Sequence, residues 1–363
     1  MLVGIDASRA VSTHPTGTET YARRLIEALL ARPPHRFRLY FRSAPPAGSF
    51  SAAEWRVIPF PRLWTHVRLS WEMERHPPDV LFVPAHVLPP VRPALSLVTV
   101  HDLGYLHFPQ AHPFRQRLYL DLSTRWSARA ATRVIADSQA TRADLIAQYG
   151  VPAEKIVVAY PGYDEGLTRV DDPALIVATR ARYAIPERYV LYLGTLQPRK
   201  NLSRLIDAFA DVPRDVTLVL AGRRGWLSDD TLAQAQRLGL EQRVLFPGYV
   251  SEGDKAALLS GALAFAFPSL YEGFGLPVLE AQACGCPVVC ANTSSLPEVA
   301  GSGALLLDPH DTRAWSQALA QLTGDAVLRT EWAARGHANL PRFSWSRCAD
   351  TVLETIETLA ASS

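Results

Sequence analysis

The chain of 363 residues predicts an α/β protein built from two doubly wound, Rossmann-like domains facing across a cleft. Three observations lead there. Short apolar runs of strand length alternate with longer amphipathic stretches along almost the whole chain, the pattern of parallel sheets covered on both faces. The alternation loosens once, around 162–182, where PGYDEGLTRVDDP reads as a linker. Glycine-bearing and charged stretches fall directly after predicted strands, where open α/β sheets bind ligands. Domain one is therefore expected over 1–165 and domain two over 166–344, with the final segment, 345–363, a candidate to pack back on the first.

The first series opens with a buried strand, Leu2–Asp6, then a polar loop to Gly17 and a helix from about Thr18 to Ala31. Thr16 and Glu19 have the spacing of a capping box. Strands are expected at 37–41, 55–59, 80–84, 95–100, 134–136 and 156–159, and helices at 114–130 and 140–149. His101 follows directly on the strand SLVTV, a position open to a structural or a catalytic reading. Segment 63–76, LWTHVRLSWEMERH, reads either as a helix whose face touches a lipid surface or partner, or as a core-facing helix with a solvated basic side. The second series has strands at 189–193, 217–220, 244–246, 262–267, 288–291 and 304–307. Its helices are expected near 202–210, 230–238, 252–259, 276–284, 313–322 and 326–338. An amphipathic helix over 345–359 closes the chain.

Composition narrows the function classes. Hydrophobic residues make up 48% and charged residues 20%, as in a soluble globular protein. The apolar runs are far short of a membrane span and the N-terminus does not read as a signal peptide, so a cytoplasmic protein is expected, with a peripheral place at the inner membrane face open to it. Residues 1–165 hold 19 Lys+Arg against 14 Asp+Glu (19 − 14 = +5), and the remainder sums to −3, which together recover the net +2. A mildly basic first half suits an anionic partner or membrane surface, and nothing points to nucleic acid. Cys284, Cys286 and Cys290 cluster as C-x-C-x3-C, which lacks the C-x2-C hairpin of structural zinc sites, so small buried residues in a reducing compartment are expected.

The chemistry collects at strand ends of the second series. Gly194, Thr195, Arg199 and Lys200 follow YVLYL and precede a helix, where a phosphate gains charge and helix N–H groups. Gly222 lies in AGRRGW after TLVL, and Tyr249 and Val250 in PGYV after VLF. After ALAFAF comes SLYEGFGLPVLE, with Glu272 in a glycine loop and Glu280 on the helix beyond it. By spacing alone the two glutamates read equally as solvated residues. At that sheet edge they can accept hydrogen bonds from sugar or ribose hydroxyls.

These stretches, YLGTLQPRKNL, LAGRRGW, VLFPGYVSEGD and FPSLYEGFGLPVLEAQACGCPVV, resemble the retaining glycosyltransferases of family 4, which have the two-domain GT-B fold. GTETYARRLIEAL, TVHDL, VIADSQATRADL and FSWSRCA fit the same family in the same order, so the resemblance covers nearly the whole chain. It implies a nucleotide-diphosphate sugar donor, GDP-mannose or a UDP-hexose, and a saccharide or lipid-linked acceptor in cell-surface polysaccharide assembly. It implies that Glu272 accepts from the sugar hydroxyls and Glu280 from the ribose. Gly273, Phe274, Gly275 and Leu276 would lie near the sugar or diphosphate, Arg199 and Lys200 would neutralise the leaving diphosphate, and Tyr249 and Val250 would contact the base. Gly17 would approach the diphosphate from the first domain, and His101 would orient the sugar. Thr195 departs from the many relatives that carry Arg after the first glycine. No D-x-D stands at a strand end, so no divalent metal or other cofactor is expected. A nucleotide-sugar hydrolase or epimerase, a glycoside hydrolase using both glutamates, and a two-lobed solute-binding protein are the competing readings. The absence of G-x-G-x-x-G after either domain's first strand disfavours a dehydrogenase.

Overall fold

The computed structural model describes every residue except 12–16, 33, 112, 224, 226–228 and 362–363. Thr16 of the capping-box pattern and Arg224 and Trp226 of the loop after TLVL lie outside the described residues. The chain divides into two compact units, Met1–Gly162 with Phe343–Ser363, and Tyr163–Arg342.

In the first unit, the described residues form a parallel sheet of β1 (Leu2–Asp6), β2 (Arg36–Phe41), β3 (Glu54–Val57), β4 (Val80–Val83), β5 (Leu95–Val100), β6 (Arg133–Ala136) and β7 (Ile156–Val158). Their order is β3-β2-β1-β4-β5-β6-β7. Successive side chains alternate between the two faces of a strand. Leu39, Phe82, Leu97 and Ile135 accordingly enter one buried cluster, while their neighbours Tyr40, Leu81, Val98 and Val134 enter another. Helix Trp345–Ala361 completes the first cluster with Trp345, Cys348, Val352 and Ile356 and packs against helix Gly17–Leu30. Burying each such aliphatic side chain contributes about 2 kcal/mol.

The second unit's sheet holds β8 (Tyr189–Leu193), β9 (Thr217–Ala221), β10 (Val244–Leu245), β11 (Ala264–Phe267), β12 (Val288–Ala291) and β13 (Ala304–Leu307). All neighbours are parallel, in the order β10-β9-β8-β11-β12-β13. The chain runs outward from β8 to β10, then returns to the other side of β8 to place β11. The direction of winding thus reverses between β8 and β11, the position at which open α/β sheets place a ligand crevice beyond the C-terminal ends of the strands.

Two stretches become specific. The loosened alternation over 162–182 runs without helix or strand to Asp172 and ends in helix Pro173–Arg182. Asp172 caps it, its carboxylate accepting from the Ala174 N–H at 2.9 Å, and Pro173 occupies the first turn. The Asp-Pro pair that looks like a breaker is therefore a helix start. Segment 63–76 is a π-helical turn, Trp64–Leu69, running into an α-helix, Ser70–Arg75. Trp64, Leu69 and Met73 are buried while Leu63, Val67 and Trp71 are exposed, so the segment faces the core on one side only.

Gly222 sets how closely the loops after β8 and β9 approach. Its φ is +147°, and a Cβ there would stand 1.9 Å from the Gly194 carbonyl oxygen. Gly222→Ala is expected to destabilise the protein by about 2 kcal/mol, read by urea unfolding; an unchanged midpoint would show that the loops part without cost.

Candidate functional site

Backbone hydrogen bonds lace the loops at the C-terminal edge of the second sheet. Gly194 N–H donates to Ala221 O (3.0 Å), Leu196 N–H to Arg223 O (2.9 Å) and Gly222 N–H to Gly248 O (2.8 Å). Leu270 N–H donates to Arg199 O at 2.9 Å, tying the loops after β8 and β11 across the crevice. Asn201 Nδ2 donates to Pro309 O at 2.8 Å and brings in the loop after β13. These bonds hold five strand-end loops along one edge.

Glu272 sits at the centre of the edge and is only 8% exposed. Arg199 donates to its Oε2 at 2.9 Å, and Lys200 Nζ donates to its Oε1. Arg199 also donates to the Tyr271 carbonyl, and the Lys200 ammonium lies 4.9 Å from the centroid of the Phe267 ring. The backbone of Glu272 is pinned from the other side. Its N–H donates to Ser294 Oγ at 2.8 Å, and its carbonyl lies 2.9 Å from the Ser295 hydroxyl, which is 2.6 Å from the Phe274 carbonyl. Ser294 adopts φ +47°, an uncommon backbone for a residue with a Cβ. Burial works to raise the Glu272 carboxyl, but the Arg199 and Lys200 charges outweigh it and hold the group down at about 2. Glu272 is therefore a carboxylate throughout the physiological range.

Helix Leu276–Ala283 starts at Gly275, whose φ of +118° turns the chain from the loop into the helix. Pro277 fits its first turn. Glu280 lies on this helix, and its Oε1 accepts from Lys255 Nζ at 3.0 Å, while Lys255 also pairs with Glu252 at 2.8 Å. Burial lowers the Lys255 ammonium, yet the Glu280 and Glu252 carboxylates reverse this and raise it. The chain's three lysines are Lys155, Lys200 and Lys255. Two of them thus hold the two glutamates.

The structure brings Arg199, Lys200, Glu272, Gly194, Thr195 and Gly222 to one edge, with Gly273, Phe274, Gly275 and Leu276 continuing it into the helix. Tyr249 is 55% exposed, with the Arg223 guanidinium 5.1 Å from its ring centroid, whereas Val250 is buried. Lys255, Ser294 and Ser295 were missed by the motif reading. Only the scarcity of lysine pointed toward Lys255.

Gly17 and His101 belong to the first unit. Gly17 begins helix Gly17–Leu30, and a Cβ there would meet nothing within 4 Å. His101 stands at the tip of β5, buried, with Nδ1 2.6 Å from Asp137 Oδ2 and its ring 4.7 Å from the Tyr21 ring. Burial lowers the imidazole and the Asp137 carboxylate raises it, with a net rise. The His101 backbone N–H donates to His86 Nε2 at 3.3 Å, which leaves the His86 proton on Nδ1. Burial first, and the His101 charge second, push His86 down to about 3. His101 Nε2 and His86 Nδ1 are buried and lack a hydrogen-bond partner among the described residues.

The four cysteines are buried and free, and burial pushes the Cys284 and Cys290 thiols up to about 12. Among the described residues, no group of three or more His, Cys, Asp or Glu is arranged to hold a metal ion.

This arrangement can be set beside known proteins. The family model for glycosyl transferases group 1 matches residues 178–338, and that for glycosyltransferase family 4 matches 15–167. The chain is 33% identical over 298 residues to the O-antigen chain mannosyltransferase B of Escherichia coli, covering 80% of this chain and 77% of that one. The chain belongs to the family 4-type glycosyltransferases. The serotype-specific mannosyltransferase WbdA of Escherichia coli is 30% identical over 240 residues, 64% of this glycosyltransferase and 29% of WbdA. The crystal structure of Anabaena Alr3699/HepE in complex with UDP-glucose superposes with a TM-score of 0.77 at 23% identity, covering 98% of this chain and 99% of that one. Sucrose-phosphate synthase from Thermosynechococcus elongatus gives a TM-score of 0.77 at 21% identity, covering 100% and 99% of the two chains. The glycosyltransferase therefore has the GT-B fold, each compact unit carrying one parallel sheet.

The depressed carboxyl at Glu272 makes a prediction with a defined sign. A group held low in the folded state stabilises it above the unfolded value of 4.5, and that stabilisation disappears as pH falls toward about 2. Glu272→Gln leaves Lys200 buried with less counter-charge and is expected to cost about 3 kcal/mol at neutral pH. The gap from wild type should close as pH falls from 4.5 toward 2, measured by urea unfolding at each pH. A gap that is constant with pH would mean that the ion pairs do not stabilise the fold.

Proposed function

We propose that this glycosyltransferase moves a hexose, with retention of anomeric configuration, from a nucleotide-diphosphate sugar to a saccharide or lipid-linked saccharide acceptor in cell-surface polysaccharide assembly. The observation that carries this reading is the buried Arg199–Glu272–Lys200 cluster at the point where the second sheet reverses its winding. Two cations and one carboxylate held there have a net positive charge. A diphosphate is attracted to the cations while the carboxylate stays available to hydroxyl donors. The mannosyltransferase relatives favour GDP-mannose as donor. The neighbour that binds UDP-glucose keeps a UDP-hexose as the other choice.

In this reading Arg199 and Lys200 divide their hydrogen bonds between Glu272 and the diphosphate. Charge builds on the leaving phosphate as its bond to the anomeric carbon breaks, and the two cations stabilise it at that moment. The acceptor hydroxyl oxygen bonds to the same carbon from the leaving-group face, and its proton passes to the departing phosphate oxygen. Glu272 accepts from the sugar hydroxyls and Glu280 from the ribose, with Lys255 holding Glu280 in place. Gly194, Thr195, Gly222 and residues 273–276 line the donor, Tyr249 and Val250 lie toward the base, and Gly17 and His101 are the first unit's assigned residues, His101 orienting the sugar. With the charge carried by Arg199 and Lys200, no divalent metal takes part.

Glu272→Ala is expected to lower transfer at least about a hundredfold while the nucleotide diphosphate still binds by calorimetry; near-normal turnover would remove Glu272 from the donor-sugar role. Glu280→Ala is expected to weaken nucleotide binding about tenfold, and unchanged calorimetric affinity would overturn the ribose assignment. Wild-type turnover should persist in EDTA, whereas loss that Mg²⁺ or Mn²⁺ restores would overturn the metal-free step. Thermal shift against UDP, GDP, ADP and their sugars identifies the base, and a shift with free sugars alone would favour a solute-binding protein.

A further inference from the structure

The first unit carries an exposed apolar surface. Helix Phe114–Ala130 buries the small residues Ser123, Thr124, Ser127 and Ala128. It exposes Phe114 (67%), Leu118 (45%), Leu122 (58%) and Trp126 (40%), which recur every four residues and so form one ridge. The segment beginning at Leu63 adds Leu63 and Trp71, also exposed. Tyr119 joins the two segments, its hydroxyl 2.9 Å from His66 Nε2. A contiguous apolar face of this kind marks an interaction site.

The charges around it are predominantly positive. The two segments carry Arg68, Arg75, Arg115, Arg117, Arg125 and Arg129. Of their acids, Glu72 is buried against Arg56 at 3.0 Å, and Asp121 accepts from the Tyr149 hydroxyl at 2.7 Å, leaving Glu74 exposed. Guanidinium groups stand over the exposed rings. Arg68 and Arg75 lie 4.6 and 4.5 Å from the Trp71 centroid, Arg92 lies 5.2 Å from Trp126, and Arg117 lies 5.5 Å from Phe114. Aromatic and leucine side chains rimmed by arginine match the boundary between acyl chains and anionic headgroups. A second copy of the chain would set these arginines against the same arginines across a two-fold axis. No helix among the described residues is long and apolar enough to cross a membrane, so this face would lie on the bilayer rather than span it.

We propose that the outward face of helix Phe114–Ala130, with Leu63 and Trp71 beside it, docks the enzyme on an anionic lipid bilayer. The surface is separate from the donor-site residues assigned above, and vesicle binding reads no transfer, so the two readings stand or fall independently. The test is flotation of the full chain with vesicles of phosphatidylglycerol and phosphatidylcholine, against phosphatidylcholine alone. The wild type is expected to partition about tenfold more into the anionic vesicles, and less as salt rises. Leu118→Ser with Leu122→Ser should lower partitioning about tenfold with an unchanged thermal melt. Arg68→Gln with Arg75→Gln should reduce the preference for anionic lipid. Equal binding to both vesicles, no binding to either, or variants that bind as the wild type does would each overturn the proposal. So would a concentration-dependent dimer, lost in the leucine variant, from a chain that ignores vesicles.

Discussion

The second unit depends on a carboxylate that should be costly to bury. Glu272 is almost out of reach of water, and an isolated charge there would cost several kcal/mol. Arg199 and Lys200 offset that cost from consecutive positions on the loop across the crevice. The three charges can meet because β8 and β11 are neighbours in the sheet although 72 residues separate Lys200 from Glu272. The ion pairs and the Leu270–Arg199 backbone bond draw together two loops that the sheet's reversal of winding would otherwise leave apart.

Glu272 is also defined by what it cannot do. A glycoside hydrolase needs one carboxyl with a raised pKa to protonate the leaving group. Glu272 has the opposite environment, held at about 2 by two cations, and Glu280 is paired to Lys255. The first unit contrasts with this in kind. His101 is a buried imidazole held by Asp137, beside a His86 that burial keeps neutral. One unit thus carries fixed charge at its sheet edge, and the other a buried pair of imidazole rings.

Much of the frame was legible because it is local. A buried parallel strand is a continuous apolar run, and TLVL or AFAF can be little else between turn residues. The strand ends mark Arg199, Lys200 and Glu272, and the helix after β11 carries Glu280. What the chain did not disclose is set by contacts across space. The cations looked like a phosphate clamp and the glutamate like a hydroxyl acceptor, but no spacing rule says that they bind one another when β8 and β11 pair. Lys255 carried no motif, and Ser294 is an ordinary residue whose positive φ appears only in the folded loop. The helix that follows the linker stays hidden at Asp172-Pro173 because the same two residues that break a helix also begin one.

A site already closed by its own ion pairs gains in preorganisation what it gives up in affinity. Without those pairs, Arg199 and Lys200 would carry flexible side chains into solvent, and ordering each on substrate would cost about 1–2 kcal/mol of conformational entropy. Glu272 meets that cost during folding and leaves the cations aimed along one edge. An incoming anion must then compete with a carboxylate, so charge alone binds it less tightly. The competition weakens for a ligand that also supplies hydroxyl donors to Glu272, because the carboxylate is then satisfied as the cations turn toward phosphate. Such a cluster discriminates by requiring both groups in one molecule: free phosphate offers only the anion and a neutral sugar only the hydroxyls. Under the proposed function, the buried ion pairs link the stability of the second sheet's edge to selectivity for a ligand that joins the two chemistries.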